Sequence, residues 1–313
     1  MGRNRAATFL RPFLELPVSR PVRSKLMEKE ARRELAFVEK QSAIASLPLL
    51  SKERLRYKLE DDSEADTFYV LGSGSSIEDL TEANFDHIAG QTSVGINNWG
   101  LHPFVPNIYS LESVPWVGDG GDFVRAMKLL DRSDIVSRQP EILILRPKTF
   151  AEIKQISQLP SSLQHSVSFY GRIMPATRHN ENLTGDVSEF FSNIAPRFSS
   201  IVLDSGASVV RMVVLGILLG FPRIVLAGID LNSSPYFWEA NPKYLSGLTS
   251  PPPVNNQAWA QHETASSSNR PFDVITMLRA LGTFFSTQRG GQMLVTSPDS
   301  ALAQFFPLET WAN

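Results

Sequence analysis

The sequence predicts an α/β fold in which a Rossmann-like parallel sheet is covered by helices on both faces. Apolar, β-rich runs alternate along the chain with segments of helical periodicity, and this alternation is typical of a parallel sheet with crossover helices. The most informative unit reads IVLDSGASVVRMVVLGILLGFPRIVLAGIDLN at 201–232. A chain of 313 residues with 42% hydrophobic content can bury the core that such a sheet needs.

Each predicted element follows from its local pattern. Strands are predicted at Thr67–Leu71, Thr92–Ile96, 107–111, 141–145, Ile201–Leu203, 224–227 and 292–296. Helices are predicted at about 25–45, from Ile77, at 123–130, 150–157, 188–194 and 209–219, and after Ser300. Gly220 can end the helix at 209–219, and Pro222 prevents its continuation into the next strand.

Composition divides the chain into two parts. Residues 1–62 are predicted to form a basic, partly helical N-terminal arm, because residues 1–58 contain fourteen Lys and Arg against six Glu, an excess of eight. Such an arm could rest on anionic lipid, or it could pack on the domain or form a homo-oligomer contact. Residues 63–313 are predicted to be one α/β domain, with a lid or substrate loop at about 233–270. Disorder is the alternative for that loop.

Several function classes are excluded by the residues present. Cysteine is absent, which excludes a disulfide scaffold and a cysteine-built zinc site. The net charge of −2, with its basic excess confined to the front, gives no reason to expect a nucleic-acid partner. No paired histidines at metal spacing occur, so no metal is predicted. Arg211, Pro222 and Arg223 argue against a membrane span at 209–229, so a cytoplasmic chain, peripheral on the inner membrane face at most, is expected.

Two strand ends carry the residues that indicate a ligand site. The first is the loop of Gly72, Ser73, Gly74, Ser75 and Ser76, which follows the strand at 67–71. Small residues there allow backbone N–H groups to approach a phosphate, although a tight turn without a ligand is the alternative. A dinucleotide fingerprint would need a third glycine near position 77 and an acidic residue about twenty positions on, where the chain has Ile77 and Asn97.

The second strand end is the corner formed by Gly228 and Asp230, after the strand at 224–227. The carboxyl ends of strands are where open α/β sheets bind their ligands. Asp230 could therefore bind a ribose or a base, or it could serve as a turn or capping carboxylate. The two loops together predict one nucleotide site.

A set of motifs occurs along the chain in a recognisable order. They read LGSGSSI at 71–77, VGIN at 94–97, DSGASV at 204–209, LGFPRIVLAGID at 219–230, His262, and SPDSAL at 297–302. In content and order they resemble the bacterial sialyltransferases that use CMP-sialic acid (glycosyltransferase family 42) and their relatives of the DUF115 and flagellin-glycosylation type. The resemblance covers about residues 67–306 and implies a GT-A-like variant of the Rossmann fold.

The resemblance also implies roles for individual residues. It implies that His262 is the general base, that Tyr236 takes the place of a phenol that stabilises the leaving phosphate, and that no cofactor or metal is needed. It implies a nucleotide-sugar site made of Gly72, Ser73, Gly74, Ser75, Ser76, Asn97, Ser205, Gly206, Ser208, Gly228, Asp230, Asn232, Ser297 and Ser300. Two positions depart from the family, because Asn232 stands where it has tyrosine and Glu112 ends a strand where it has asparagine.

The predicted function is that of an inverting glycosyltransferase. Its donor would be a CMP-activated 2-keto sugar acid, such as a sialic acid-like nonulosonate or Kdo, and its acceptor a cell-surface glycan, a glycolipid or flagellin. One alternative is a DUF115-type pterin pyrophosphokinase that uses ATP and magnesium. Another is a catalytically degenerate nucleotide-sugar-binding scaffold, which the departures at Asn232 and Glu112 would favour.

Overall fold

The structure of the chain is a computed structural model. It describes residues 19–59, 65–112, 142–146, 161–177, 180–232, 234–246 and 272–311, together with Ile153, Ile156 and Leu159. The helix predicted at 123–130, most of the helix at 150–157, most of the lid region and the first 18 residues lie outside the described residues.

Seven parallel strands form the main sheet. The sequence predicts six of them but not the strand at Val167–Phe169, and the predicted strand at Ile201–Leu203 lies in a separate pair. The nine strands of the described chain are β1 (Thr67–Leu71), β2 (Thr92–Ile96), β3 (Ile108–Glu112), β4 (Ile142–Arg146), β5 (Val167–Phe169), β6 (Gly171–Ile173), β7 (Ile201–Leu203), β8 (Arg223–Ala227) and β9 (Gln292–Val295). The main sheet has the order β5-β4-β3-β2-β1-β8-β9, and β6 pairs with β7 in a separate parallel pair. The α/β fold class with a parallel sheet is therefore confirmed.

Helices and shorter helical turns connect these strands. The helices are α1 (Arg20–Ala45), α2 (Lys52–Leu59), α3 (Glu82–Ala89), α4 (Ser161–Gln164), α5 (Asn180–Glu189), α6 (Ser208–Leu219), α7 (Phe237–Ala240) and α8 (Val274–Arg289). Three 3₁₀ turns cover Ser75–Asp79, Asn97–Leu101 and Pro242–Leu245, and a π-helical turn at Phe190–Ile194 extends α5. No described helix is long and apolar enough to cross a bilayer.

The main sheet is buried on both faces. In β1 the side chains of Phe68 and Val70 belong to one apolar cluster, and those of Tyr69 and Leu71 belong to a second. Alternation of this kind places successive side chains on opposite faces of the sheet. All five residues of β1 are buried, as expected for a parallel strand covered on both sides.

The first described helix packs on the domain through one side. Met27, Ala31 and Val38 of α1 are buried. The guanidinium of Arg23 donates to Asp186 of α5 over 2.8 Å, and the pair is almost fully buried. One side of α1 is therefore part of the core.

Three local expectations differ from the structure. The helix expected from Ile77 is a single 3₁₀ turn that ends at Asp79, and the closing helix expected after Ser300 is a series of turns. The helix expected at 188–194 is the π-helical end of a longer helix that begins at Asn180. By contrast, α6 ends as predicted, with Gly220 in the left-handed region at φ +91°.

Candidate functional site

The order of the strands reverses between β1 and β8. Both strands are parallel neighbours in the sheet, and Leu71 at the end of β1 pairs with Ala227 at the end of β8. The chain continues from β1 to one side of the sheet through β2, and from β8 to the other through β9. A reversal of this kind opens a crevice outside the carboxyl ends of the strands. The two loops singled out in the sequence therefore lie side by side.

Hydrogen bonds join the two loops directly. The N–H of Gly72 donates to the carbonyl of Ala227, and the N–H of Gly74 donates to that of Gly228, each over 2.8 Å. The N–H of Ser76 donates to Oδ2 of Asp230 over 3.2 Å, and the Ser76 hydroxyl donates to Oδ1. Both oxygens of the Asp230 carboxylate thus hold the loop that follows β1.

Glycine is required where the two loops cross. A Cβ on Gly72 would lie 2.5 Å from the carbonyl oxygen of Gly228, and one on Gly74 would lie 2.3 Å from Oδ2 of Asp230. Gly228 itself has φ +64°, a conformation that favours glycine. The glycines of both motifs therefore permit the close contact between β1 and β8 loops.

The buried carboxylate of Asp230 positions the loop that follows β1. Asp230 is 6% exposed. Burial raises its pKa, and the hydrogen bonds from Ser76 oppose that shift. Because both of its oxygens accept hydrogen bonds from Ser76, the carboxylate holds the loop after β8 against the loop after β1.

The backbone donors of the glycine loop are largely engaged within the protein. The N–H of Ser75 donates to the carbonyl of Pro235 over 3.0 Å, in addition to the bonds of Gly72, Gly74 and Ser76. The Ser73 hydroxyl is buried and has no hydrogen-bond partner among the described residues. The Ser73 side chain thus has hydrogen-bonding capacity that the described residues do not use.

A second polar group lies beyond β2, at the start of α6. Asn97 follows β2 directly and has φ +56°. The Ser208 hydroxyl donates to Oδ1 of Asn97 over 2.9 Å, and Nη2 of Arg211 donates to Ser208 Oγ over 2.8 Å. β2 is the neighbour of β1, and Gly95 pairs with Leu71, so Asn97 extends the same edge of the sheet.

A buried ion pair supports this second group. Nη1 of Arg211 donates to Oδ2 of Asp204 over 3.0 Å, and both side chains are fully buried. Arg172, which is partly exposed, donates to the same oxygen. Burial alone would raise the pKa of Asp204, but the two guanidinium groups outweigh it and hold the pKa at about 2. Asp204 is therefore ionised at neutral pH.

Sequence reasoning missed the role of this pair. Asp204 stands seven residues before Arg211, and Arg211 interrupts the otherwise apolar run of α6. An arginine inside an apolar helix must find a buried partner. That interruption was the signal for the ion pair.

The remaining predicted residues near β8 bind the loop at 297–301. The amide of Asn232 donates to the carbonyl of Asp299 over 2.8 Å, and the Ser300 hydroxyl donates to that of Ile229 over 2.8 Å. Ser297 is buried and its Oγ accepts from the N–H of Asp299 over 3.2 Å. These residues connect the end of β9 to the Asp230 corner.

Tyr236 lies beside the glycine loop. Its backbone forms an antiparallel bridge with Gly74, and the N–H of the next residue, Phe237, donates to the carbonyl of Ser73 over 3.0 Å. The phenol ring stacks on Trp238 with ring centroids 4.5 Å apart. The backbone of Tyr236 therefore lies next to the β1 loop, although Tyr236 is not at the position of Asn232.

The comparisons with known proteins give structural matches alone. No protein-family model matches the chain, and no curated protein sequence matches it. One matching structure is the sialyltransferase CstII from Campylobacter jejuni in complex with cytidine-5'-monophosphate (14% identity, 78% of this chain, 85% of that chain, TM-score 0.41). Another is an α-2,3-sialyltransferase from Campylobacter jejuni in apo form (15% identity, 79% of this chain, 81% of that chain, TM-score 0.40). Similarity at this level assigns no activity to this chain.

The structure brings most of the predicted site residues to one edge of the sheet. They are Gly72, Ser73, Gly74, Ser75, Ser76, Asn97, Ser208, Gly228, Asp230, Asn232, Tyr236, Ser297 and Ser300. Ser205 and Gly206 lie in the loop between β7 and α6, where the N–H of Gly206 donates to Asp204 over 2.8 Å. His262 lies outside the described residues. Among those described, no group of three His, Asp or Glu side chains is arranged to hold a metal.

An aromatic cluster fixes the first part of the predicted lid. His102 is 4% exposed and lies between Trp99 and Tyr244, at centroid distances of 4.6 and 5.4 Å. Its Nδ1 accepts from the N–H of Phe104 over 3.1 Å. Burial lowers the pKa of His102 to about 4, although Glu78 opposes the shift. The imidazole is therefore neutral at pH 7.

Acidification is expected to weaken the fold through His102. Its pKa in the folded chain lies below the ordinary value, so its neutral form contributes stability above pH 6.5 that is lost as the pH falls toward 4. Between pH 7 and pH 4.5 the expected loss is about 2 kcal/mol. Urea unfolding at the two pH values measures it, with His102→Phe as the comparison. An equal loss in the variant would contradict this assignment.

Proposed function

We propose that this chain is a glycosyltransferase that takes a 2-keto sugar acid from a CMP-activated donor. The observation that carries the proposal is the meeting of three loops, after β1, β2 and β8, at the point where strand order reverses. Open α/β sheets bind nucleotides at such a point. The loops carry the motifs, in the same order, through which the sequence resembles the CMP-sialic-acid-dependent family.

The nucleotide would be held by the polar groups that the loops still offer. Ser73 has an unpartnered hydroxyl within the described part of the chain, and Asn97 and Ser208 stand at the neighbouring strand end. The start of α6 adds the positive end of a helix dipole, which favours an anionic phosphate. In this proposal Asp230 and Ser76 position the loop and do not contact the ligand.

The transfer would proceed by inversion at the anomeric carbon. His262 would remove the proton from an acceptor hydroxyl as its oxygen bonds to the anomeric carbon, while the bond from that carbon to the CMP phosphate oxygen breaks. An imidazole suits this role because its ordinary pKa lies near neutrality. The electron pair leaves with CMP, and Tyr236, beside the β1 loop, would stabilise the developing charge on the phosphate.

The acceptor would be a surface glycan, a glycolipid or flagellin, and the donor sugar would differ from the family's usual one if position 112 contacts it. Glu112 ends β3, where the family has an asparagine that meets the sugar carboxylate. A residue other than asparagine at this position would change how the sugar carboxylate is contacted and so alter which sugar acid is preferred. The substrate panel therefore needs more than one 2-keto sugar acid.

A catalytically degenerate scaffold is a second candidate, and Asn232 favours it. In place of the family's tyrosine, the Asn232 amide donates to the carbonyl of Asp299 and so has a structural contact. Such a protein would bind CMP or a CMP-sugar without turnover.

Release of CMP distinguishes the two candidates. The chain would be incubated with a glycan acceptor and CMP-sialic acid, CMP-Kdo or UDP-glucose, with EDTA or magnesium, and the free nucleotide would be measured above the amount released without the chain. CMP release from at least one CMP-sugar, with or without magnesium, supports the transferase. Binding of a CMP-sugar without release supports the scaffold. If the chain neither binds a CMP-sugar nor releases CMP from one, the proposal is overturned.

A further inference from the structure

The outward side of α1 combines exposed apolar and basic side chains. Val22, Leu26, Phe37 and Ile44 are 46%, 37%, 36% and 45% exposed, while the opposite side of the helix packs on the domain. At 3.6 residues per turn these four positions lie within about 60° of one another. They form a stripe about 33 Å long, from the rise of 1.5 Å per residue.

Cations occupy the gaps between these apolar residues. Lys25, Lys29, Arg33 and Lys40 are exposed and fall on the same side of the helix. The nearest carboxylate, that of Glu30, lies at the border of the stripe and pairs with Arg33. Among the described residues, Lys25, Lys29 and Lys40 have no ion-pair partner. The outer face of α1, defined by these eight residues, therefore carries unbalanced positive charge.

We infer that the outer face of α1 docks on a bilayer that contains anionic lipid. A helix that lies in the interface buries its apolar side chains at the level of the headgroups, and each lysine or arginine near an anionic surface adds to the affinity. Residues 1–18, which precede the helix, add Arg3, Arg5 and Arg11 in sequence. Anionic lipid complements both the charge and the apolar stripe.

A second copy of this chain fits the same face less well. In a two-fold dimer the same surface patch faces itself. The outer face of α1 would then set lysine against lysine, with no carboxylate on the stripe to separate them, and such like-charge contacts are unfavourable. Charge therefore favours the lipid surface over self-association.

Vesicle co-sedimentation of the full chain tests the inference. We expect binding to phosphatidylcholine vesicles that contain 30–40 mol% (roughly) phosphatidylglycerol, weaker binding at high salt, and little binding to phosphatidylcholine alone. Lys29→Gln/Lys40→Gln should weaken binding about 30-fold, from about 1 kcal/mol per charge. Arg3→Gln/Arg5→Gln removes the same charge from the preceding segment and should weaken it less.

A second pair of variants tests the apolar contribution. Leu26→Ser/Phe37→Ser should weaken vesicle binding, whereas Tyr57→Ser/Leu308→Ser, which removes exposed apolar side chains elsewhere, should not. Thermal unfolding confirms that each variant is folded. The inference is overturned if the wild-type chain ignores anionic vesicles, if the Arg3/Arg5 variant loses more binding than the Lys29/Lys40 variant, or if the apolar variants abolish a dimer instead. Vesicle binding is measured without any transferase assay, so the result does not depend on whether the chain is a transferase.

Discussion

Replacing Asp204 by asparagine is expected to lower the free energy of unfolding by about 3–5 kcal/mol. The change leaves the size of the side chain almost unchanged but removes the counter-charge of Arg211, whose side chain is fully buried. Asparagine can still accept from the N–H groups of Gly206 and Ala207 through Oδ1. The loss therefore reports on charge, and urea unfolding at pH 7 measures it.

Two further variants make the test specific for the buried charge of Asp204. Glu30→Gln is the same chemical change in an exposed pair on α1, and it should cost less than about 1 kcal/mol. Asp204→Asn/Arg211→Met removes both charges and should recover part of the lost stability. If Asp204→Asn and Glu30→Gln cost the same, the buried ion pair does not stabilise the fold.

The same ion pair has a predictable pH dependence. The pKa of Asp204 is held at about 2, below the ordinary value for aspartate. Its stabilisation is therefore complete above about pH 4 and is lost as the pH falls toward 2. The wild-type chain and Asp204→Asn should converge in stability over that range.

His262→Ala is expected to reduce the rate of sugar transfer by about 10²–10⁴-fold while leaving CMP binding within about twofold. The proposal gives His262 the single task of accepting the acceptor proton, so its loss should lower kcat and spare the nucleotide site. Steady-state transfer and CMP titration on the same preparation measure the two effects separately.

His165→Ala is the matched control for this variant. His165 is exposed, and among the described residues it is bonded to Arg54 through its backbone carbonyl, a bond that alanine retains. The His165→Ala variant should transfer sugar at the wild-type rate. Equal activity of His262→Ala and wild type would show that another group removes the proton.

The site could be predicted from the ends of two strands, without knowledge of the order of the strands in the sheet. Gly72 and Asp230 could be found because each follows a short β-rich run, and because parallel strands end at the same edge of a sheet. The reversal between β1 and β8 then made these ends neighbours. What the sequence does not reveal is that β1 and β8 are adjacent, since 151 residues separate Leu71 from Arg223.

The purpose of the glycines was harder to predict. Gly72 and Gly74 suggest a phosphate-binding loop, yet their N–H groups donate to Ala227 and Gly228. The pattern of small residues is the same for a loop that approaches a ligand and for one that approaches another loop. Long-range contacts decide between the two, and local sequence does not contain them.

Helix α1 shows a related limit. Apolar residues occur on both of its sides, with Met27 and Ala31 toward the domain and Leu26 and Phe37 toward solvent. Helical periodicity alone cannot separate two apolar stripes on one helix. Only the position of the neighbouring elements shows which stripe belongs to the core.

A CMP site is expected at the edge formed by the loops after β1, β2 and β8. Calorimetric titration with CMP, with UMP and AMP as matched nucleotides, measures binding at this site on the wild-type chain and on Asn97→Ala. We expect the wild-type chain to bind CMP in preference to UMP and AMP, without magnesium, and Asn97→Ala to lose at least about tenfold in affinity while remaining folded. Absence of CMP binding by the folded wild-type chain, or unchanged affinity in Asn97→Ala, would contradict it.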